Sequence, residues 1–438
     1  MGWARYFVKY NRTVTLQDRN TPHPQASVSN ITGCMLRLLF NHCHLSYFRC
    51  TFPVPFRVSS TSHSLLARTR SSSIMSTPKQ PSIMEMLAAA MKSGPAQKRD
   101  DEFYKPRPQE YFVSNKDAAW EAASTVELPR SNSSKAIDPQ TVRLISWNID
   151  MLVPFGDERM TAALTYLQTL VSSTPAETPI VIFLQEMTPS DLALITSSSW
   201  IRERFNISDK DNSAWLSPYY GTVTLVDVRL SITSVFRVPF LSKFDRDGLF
   251  VDIVLSPSSK VPSSASQSPK VLRLCDVHLE SLVANPPVRP AQLSAAAEYL
   301  HAPEVACALL AGDLNAIEPF DRTLHHENGL QDAYLELGGR EDDEEGYTWG
   351  YQVPRAMREQ FGCSRMDKIF FRGDISVKKF ERIGVGAKID DDVKQGAGIG
   401  VDEEWVSDHY GVMGDFVINE GWILRDSEGG VAGRPKLS

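Results

Sequence analysis

The sequence contains little cysteine and no long apolar segment. Its six cysteines are widely spaced and include no CxxC pair, which argues against a disulfide framework and against a zinc ribbon. No stretch approaches the roughly 18 uninterrupted apolar residues that a membrane-spanning helix needs. No internal repeat of about 20–50 residues is visible, which argues against a solenoid or a propeller. These absences favour a reduced, globular, intracellular protein without a membrane partner.

Acidic residues are almost missing from the N-terminal part of the chain. Residues 1–74 hold nine basic and one acidic residue, and residues 75–140 hold nine of each. The remaining 28 basic and 43 acidic residues fall in 141–438. Such an acidic body argues against nonspecific coating of nucleic acid, because that function needs a basic surface. It is compatible with a metal site built from clustered carboxylates.

The composition predicts a folded domain between irregular ends. The basic leader has two open interpretations, a mitochondrial transit peptide or a gene-model extension upstream of a true start at Met75. The apolar helix predicted within residues 80–94 suits either a docking partner or packing onto its own domain. The expected segments are a disordered basic leader (1–74), a flexible arm with one short helix (75–140), a folded main domain (141–419) and a tail (420–438).

From residue 141 onwards, short strands rich in Val, Ile, Leu and Phe dominate the sequence. They include VRLISWNI, PIVIFLQE, VLRLCDVHLE, VACALLAGDLN and MDKIFFRG. Helical patterns such as ERMTAALTYLQTLV and PAQLSAAAEYLHA separate some of them. Strands outnumber helices, and hairpin-like pairs occur beside the alternating units. The pattern therefore predicts an α+β layered fold with mixed sheets. The low-complexity loop 256–270 is expected to be a hairpin insertion.

Groups that bind metals or move protons stand at the ends of five of these segments. Such groups are costly to bury separately, so their recurrence predicts one shared site. They are Asn148 and Asp150 (SWNID), Glu186 (FLQE), His278 and Glu280 (DVHLES), Asp313 and Asn315 (AGDLN), and Asp408 and His409 (WVSDHYG).

Taken in order, WNID, LQE, HLES, GDLN and SDH resemble the motifs of the endonuclease/exonuclease/phosphatase superfamily. HLES, YTW (347–349), RMDKIFF (365–371) and SDHYGV (407–412) are most similar to its tyrosyl-DNA phosphodiesterase 2 branch. The resemblance implies a DNase-like sandwich of two packed mixed sheets flanked by helices. It also implies Mg²⁺-dependent hydrolysis of 5′-tyrosyl or peptide adducts at DNA ends during repair, with Mn²⁺ as an alternative ion. A nuclear location would follow, with the mitochondrion or cytoplasm as alternatives.

The chemistry of phosphodiester hydrolysis assigns roles to these residues. In-line attack by water needs a hard cation, a base for the water and donors for the phosphoryl oxygens. We expect Glu186 to bind Mg²⁺ with Asp150 as its partner, and Asp313 to act as the base. Polar support is expected from Asn148, Asn315, His278 and His409, with Asp367 paired to His409 and Asp408 orienting the site.

Substrate contacts are predicted at Ser281, Trp349, Arg289 and Arg322, with Lys243 and Arg246 as further candidates. Animal members of the branch usually carry arginines after HLES and after GD-x-N, whereas this chain has HLESLVANPPVRP and GDLNAIEPF there. The substrate is therefore open: another phosphodiester, in RNA or a lipid, is an alternative. An inactive binding module is a further alternative, although Glu186, Asp313 and His409 are all retained.

Overall fold

The computed structural model describes residues 83–124, 137–258, 270–399 and 404–425. The chain divides into two compact units, Met1–Ser93 and Gly94–Ser438. In the first unit the described residues contain helix α1 (Ile83–Lys92). The predicted basic leader lies outside the described residues. Within the described ranges, no helix is long and apolar enough to cross a membrane.

The second unit is built on two eight-stranded sheets. In chain order its strands are β1 (Arg107–Gln109), β2 (Phe112–Ser114), β3 (Trp120–Ala122), β4 (Thr141–Asn148), β5 (Ile180–Met187), β6 (Phe205–Ile207), β7 (Gly221–Asp227), β8 (Ile232–Pro239), β9 (Asp247–Pro257), β10 (Lys270–His278), β11 (Val305–Asp313), β12 (Gln331–Asp332), β13 (Asp367–Gly373), β14 (Ile375–Ile383), β15 (Gly411–Ile418) and β16 (Trp422–Leu424).

The helices of this unit lie mainly between strands of the same sheet. They are α2 (Gly156–Ser173), α3 (Pro189–Ser197), α4 (Ser199–Arg204), α5 (Arg289–Leu300), α6 (Leu324–Glu327), α7 (Ala333–Glu336), α8 (Arg355–Phe361) and α9 (Asp391–Ala397). Short 3₁₀ turns occupy Asn212–Ala214, Pro319–Arg322 and Glu344–Gly346.

Both sheets are mixed. One has the order β1–β8–β9–β10–β11–β13–β12 with β16 on β9, and the other β14–β15–β4–β5–β7–β6–β2–β3. The pairs β4–β5 and β10–β11 are parallel, whereas the remaining pairs are antiparallel. Helices α2 and α5 connect the two parallel pairs, as parallel neighbours require. Because β4 packs against β11 and β5 against β10, the carboxyl ends of four strands meet at one edge.

Alternating side chains along the strands build the layers. On β4, Val142 and Leu144 enter the core between the sheets, whereas Ile145 and Trp147 face the core under α2. This period of two is expected of a strand that is buried on both faces. On β11, Leu309 enters the core between the sheets and its neighbours face α5. The result is a helix–sheet–sheet–helix sandwich, which confirms the predicted fold class.

The structure differs from the expected boundaries at both ends of the domain. Residues 107–122, expected in a flexible arm, form three strands: β1 pairs with β8, β2 with β6 and β3 with β2. Residues 422–424, expected in a tail, pair with β9. Main-chain hydrogen bonds to existing sheet edges hold these segments, so apolar periodicity is not needed there. The loop at 256–270 connects the antiparallel neighbours β9 and β10, and residues 259–269 lie outside the described part.

Candidate active site

The shared edge of the two sheets brings the predicted residues together. Asn148, His278 and Asp313 are the last residues of β4, β10 and β11, and Glu186 is the second-last of β5. His278 lies directly beside Asp313 in the parallel register. All of them are buried, apart from the partly accessible Glu186. The sequence-based expectation of one common site therefore agrees with this geometry.

Asp313 is the most tightly held carboxylate of the cluster. Its Oδ2 accepts hydrogen bonds from Nδ2 of Asn148 (3.0 Å) and Nδ2 of Asn315 (3.2 Å). Its Oδ1 accepts the backbone N–H of Asn315 at 2.8 Å. Burial raises the pKa of Asp313 to about 6. The charge of His409 lowers this pKa, and the charge of Asp367 raises it. A fixed carboxylate that titrates close to neutrality is suited to accepting a proton from water.

His409 and Asp367 form a buried acid–base pair next to Asp313. Nδ1 of His409 lies 2.8 Å from Oδ2 of Asp367, and its Nε2 lies 3.8 Å from Asp313. Burial by itself lowers the pKa of His409, but the carboxylates of Asp367, Asp408 and Asp313 outweigh it and raise the pKa well above the usual value. These carboxylates therefore favour the charged form of the imidazole. Asp313, Asp367 and His409 offer ligand atoms within 4.8 Å of one another, so the cluster can exchange protons and is also a candidate site for a metal ion.

The YTW segment holds this pair in place. Oγ1 of Thr348 accepts the backbone N–H groups of Met366 (3.1 Å) and Asp367 (3.0 Å). The carbonyl of Thr348 accepts the N–H of Tyr410, the residue after His409. One buried threonine therefore ties the chain carrying the carboxylate to the chain carrying the imidazole.

Trp349 and Asp408 lie beside the pair. The indole N–H of Trp349 donates to Oδ2 of Asp408 at 2.7 Å, and Trp349 also forms an isolated bridge with His409. Oδ1 of Asp408 lies 3.8 Å from Nε2 of His409. Trp349 is only 6% exposed, so its observed contact positions Asp408, while its predicted substrate contact stays a prediction.

His278 presents a neutral imidazole to the site. Its Nδ1 lies 2.7 Å from an Nη of Arg246, and arginine only donates, so Nδ1 accepts and Nε2 carries the proton. Burial, followed by the charges of Arg246 and His409, keeps the pKa of His278 well below its usual value. Nε2 lies 3.4 Å from Asp313 and 3.6 Å from Glu186, and has no hydrogen-bond partner within the described part of the chain.

The position of Arg246 depends on Glu280, the glutamate of HLES. Arg246 also donates to Oγ of Ser281 at 2.9 Å. Glu280 is 1% exposed and accepts hydrogen bonds from the Ser242 hydroxyl (2.6 Å) and the Lys243 N–H (2.9 Å). The same Ser242 hydroxyl accepts the backbone N–H of Arg246 at 3.1 Å. Glu280 thus fixes the loop that carries Arg246, a function that its place in the motif did not reveal.

Glu186 and Asp150 have the features of a cation site. Both adopt the left-handed backbone region, with φ of 58° and 62°, which costs about 1–2 kcal/mol per residue and is typical of functional sites. Oε2 of Glu186 accepts the N–H of Met151 at 3.1 Å, and Oδ1 of Asp150 accepts that of Leu152 at 3.0 Å.

The electrostatic environment of these two carboxylates also favours a bound cation. Burial raises the pKa of Glu186, and burial together with the charges of Asp408 and Glu186 raises that of Asp150 well above its usual value. Neighbouring carboxylates with limited access to water fit a divalent ion that neutralises them. The residues present therefore fit a metal held by Glu186 with Asp150 beside it.

A small cavity of about 20 Å³, partly open to solvent, adjoins His278 and Arg246. Its lining includes the aromatic residues Trp215 and Tyr220 and the charged residues Arg237, Asp245, Arg246 and Asp247. The guanidinium of Arg246 lies 5.1 Å from the ring centroid of Tyr220. Within the described ranges, neither Nε1 of Trp215 nor Nε of Arg246 has a hydrogen-bond partner. Both atoms are inaccessible to solvent, so the cavity lining contributes aromatic and charged residues next to the catalytic cluster but no free donor from these two atoms.

Two of the predicted substrate-binding arginines are engaged in other contacts. Arg289 is 2% exposed and makes a bidentate pair with Asp321 (2.9 and 2.7 Å), so its predicted contact with a phosphate is wrong. Arg322 donates to the exposed carboxylate of Asp342 at 2.9 Å. The acidic partner of each arginine is distant in sequence and meets the arginine only in the folded chain. The sequence motifs therefore do not reveal these ion pairs.

The family model of the Endonuclease/Exonuclease/phosphatase family matches residues 145–409, more than half of the chain. The protein belongs to this family, whose members are generally hydrolases of phosphodiesters or phosphate esters and are typically dependent on divalent metal ions.

Similar solved structures include zebrafish TDP2 humanised by 14 mutations (22% identity, TM-score 0.46, covering 63% of this chain and 98% of that one). TDP2 from C. elegans has 21% identity and a TM-score of 0.46, covering 64% and 76%. The human Nocturnin catalytic domain with bound sulfate has 14% identity and a TM-score of 0.41, covering 64% and 95%. No curated protein matched the sequence.

Proposed function

We propose that this protein is a Mg²⁺-dependent phosphodiesterase that removes tyrosyl adducts from the 5′ ends of DNA. The observation that carries the hydrolytic part is the environment of Asp313. Two side-chain amides and a backbone N–H fix its carboxylate, and the imidazoles of His278 and His409 flank it. A base, a neutral donor and a cationic donor thus converge where a phosphoryl group would react.

Asp313 takes the proton of the attacking water. A pKa of about 6 leaves the carboxylate mostly ionised at neutral pH and still basic enough to accept a proton. Asn148 and Asn315 hold the carboxylate in a single orientation, so the water that it orients has a defined line of attack.

Negative charge that develops on the phosphoryl oxygens needs fixed donors around it. His278 offers its Nε2–H, which has no partner among the described residues. His409 offers a protonated imidazole, which Asp367 keeps charged. Donors that are oriented before the reaction stabilise the transition state more strongly than water does.

Glu186 would hold the metal ion, and Asp150 would support it from beside the site. A bound Mg²⁺ would polarise the phosphate and neutralise part of its charge, and Mn²⁺ has compatible oxygen-ligand chemistry. The donor set favours hard ions, since the two candidate ligands are carboxylates and no thiolate lies among the site residues described above. Asp408 contributes a third nearby carboxylate.

The aromatic leaving group is placed in this proposal against the mouth of the small cavity beside His278 and Arg246, whose lining includes Trp215 and Tyr220. Arg246 would supply positive charge next to a departing phenolate. The HLES and YTW motifs support the same substrate through the resemblance noted above. Because the proposed substrate is a DNA end, we also propose a nuclear location. A docking role for residues 80–94 stays a prediction.

The test is a substrate panel with one enzyme preparation. It includes 5′-phosphotyrosyl DNA, 3′-phosphotyrosyl DNA, RNA, a sphingomyelin phosphodiester and an inositol polyphosphate, each with Mg²⁺. We expect release of 5′-phosphate DNA to be fastest. Rapid cleavage of RNA or lipid with no release from 5′-phosphotyrosyl DNA would refute the proposed substrate but not the proposed phosphodiester hydrolysis. No turnover on any member would favour the binding-module alternative.

A further inference from the structure

Two exposed aliphatic side chains follow the catalytic strands β10 and β11. Val283 is 57% exposed and Ile317 is 40% exposed, whereas only five large hydrophobic side chains are this accessible in the described part of the chain. Val283 comes two residues after Ser281, and Ile317 two residues after Asn315. Exposed apolar side chains therefore lie in the two loops that directly follow Ser281 and Asn315. We call Val283 and Ile317 the apolar lip.

The two loops that carry the apolar lip are held together. Arg289, at the start of α5, donates to the carbonyl of Leu282 at 2.9 Å and to the carboxylate of Asp321 at 2.7 Å. The same carboxylate accepts the N–H of Ile317 at 3.1 Å. One buried guanidinium thus joins the chain before Val283 to the chain at Ile317. The lip is a fixed part of the site rather than two independent loops.

Positive charge for a second phosphate is missing from these loops. Residues 279–288 contain no basic residue, and residues 314–323 contain only Arg322, which pairs with Asp342. Arg289 is buried and bonded to acidic partners. Of the three acidic residues in these loops, Glu280 and Asp321 are buried and Glu318 is partly accessible. A backbone phosphate placed here would meet apolar surface without a counter-ion from either loop, and it would lose its water shell.

We propose that the apolar lip binds the uncharged sugar and base of the nucleotide that carries the scissile phosphate. The enzyme therefore hydrolyses a tyrosyl phosphodiester of a single nucleotide about as well as that of a longer strand. This inference rests on the proposed function and names the substrate class of the same site: short nucleotide phosphodiesters, recognised without contacts to further backbone phosphates.

The first measurement compares chain lengths and salt concentrations. Thymidine 5′-phosphotyrosine and 5′-phosphotyrosyl oligonucleotides of two, four and eight residues are assayed for kcat/KM at fixed Mg²⁺ over a range of NaCl. We expect kcat/KM to vary by less than about tenfold across the series. The slope of log kcat/KM against log salt should stay between zero and about −0.7, the value for one neutralised phosphate of a single strand.

Variants of the lip supply the second measurement. Val283→Arg and Ile317→Arg should each make the salt slope for the eight-residue strand more negative by about 0.7. They should also raise the preference for that strand over the single nucleotide. Val283→Ala and Ile317→Ala should lower kcat/KM for the single nucleotide by about threefold to tenfold, because apolar contact is lost. Val393→Arg, on the exposed valine of α9, is the matched control for added charge.

The outcomes separate this inference from the proposed function. A contrary result is a wild-type enzyme that prefers the eight-residue strand by more than about 30-fold, with a salt slope steeper than about −2. That result would refute the role given to the apolar lip, but not the proposed tyrosyl-DNA activity. Equal effects of Val283→Arg and Val393→Arg would also refute the role of the lip. Failure to cleave any tyrosyl substrate, with rapid cleavage of another phosphodiester, would instead reject the proposed function. A single nucleotide cleaved as fast as the longer strands supports the lip.

Discussion

Replacing Asp367 by asparagine tests the charge on His409. Asparagine keeps the shape and can still accept a hydrogen bond from Nδ1 of His409, but it removes the negative charge 2.8 Å away. A hydrogen bond to a charged group contributes about 1.5–3 kcal/mol, and each 1.36 kcal/mol changes a rate tenfold. We therefore expect kcat to fall by about 10- to 150-fold at neutral pH.

The pH profile carries the more specific signature of this prediction. In the wild type, burial lowers the pKa of His409 but the carboxylates raise it well above the usual value, so the imidazole keeps its proton through neutrality. Without the Asp367 charge the pKa of His409 falls, because the largest of the contributions that raise it is lost while burial still lowers it. The rate of Asp367→Asn should therefore decline as pH rises through the neutral range, where that of the wild type does not, and should recover towards lower pH.

The assay is steady-state hydrolysis of 5′-phosphotyrosyl DNA from pH 5 to pH 9 at saturating Mg²⁺. Asp415→Asn is the matched control. Asp415 also pairs with a largely buried cation, Arg143 (2.6 Å), but this pair lies near the amino end of β4. The control should lower the melting temperature without a new alkaline limb. An unchanged kcat for Asp367→Asn, or the same alkaline limb in both variants, would refute the role given to the pair.

Three further predictions follow from the site. Asp150→Asn should raise the Mg²⁺ concentration needed for half-maximal rate by about 10- to 100-fold, because it removes a supporting carboxylate; a metal titration measures this. Wild-type kcat/KM should fall about tenfold per unit as pH drops below about 6, because Asp313 then becomes protonated. Glu280→Gln and Arg246→Ala should both lower kcat/KM, and their effects should couple by about 0.5–3 kcal/mol in a double-mutant cycle, because Glu280 acts by positioning Arg246.

Each of these predictions has a result that contradicts it. An unchanged Mg²⁺ requirement in Asp150→Asn would remove that residue from the metal site. A rate that stays constant down to pH 4 would mean that Asp313 is not the base. Strictly additive effects of Glu280→Gln and Arg246→Ala would show that Glu280 acts through another group; melting curves of each variant separate that result from simple loss of stability.

The strands at the centre of the fold were predictable because their side chains alternate. Val142 and Leu144 face one core while Ile145 and Trp147 face another, so β4 is a mostly apolar segment that is buried on both faces and ends at Asn148. The edge strands were not predictable in this way. The segment 107–122 has strands of three residues each, which gain their place from hydrogen bonds to existing edges rather than from an apolar pattern.

The catalytic cluster was more predictable than the substrate contacts. Motif residues such as Asp313 and His409 stand at strand ends, so sheet geometry brings them together. Arg289 was expected to bind phosphate, but its partner Asp321 follows 32 positions later and becomes visible only when the chain is folded. Thr348 had no sequence signal beyond its position in YTW, since its function is to accept two backbone N–H groups.

The most direct test of the central claim is metal-dependent release of tyrosine from a 5′-phosphotyrosyl oligonucleotide. The enzyme is stripped with EDTA, dialysed and assayed with and without Mg²⁺, beside the Glu186→Gln variant. We predict that Mg²⁺ restores formation of free tyrosine and 5′-phosphate DNA in the wild type, and that the rate of Glu186→Gln is lower by at least about 100-fold. Equal release by the wild type and the variant, or release that is indifferent to the metal, would contradict the account.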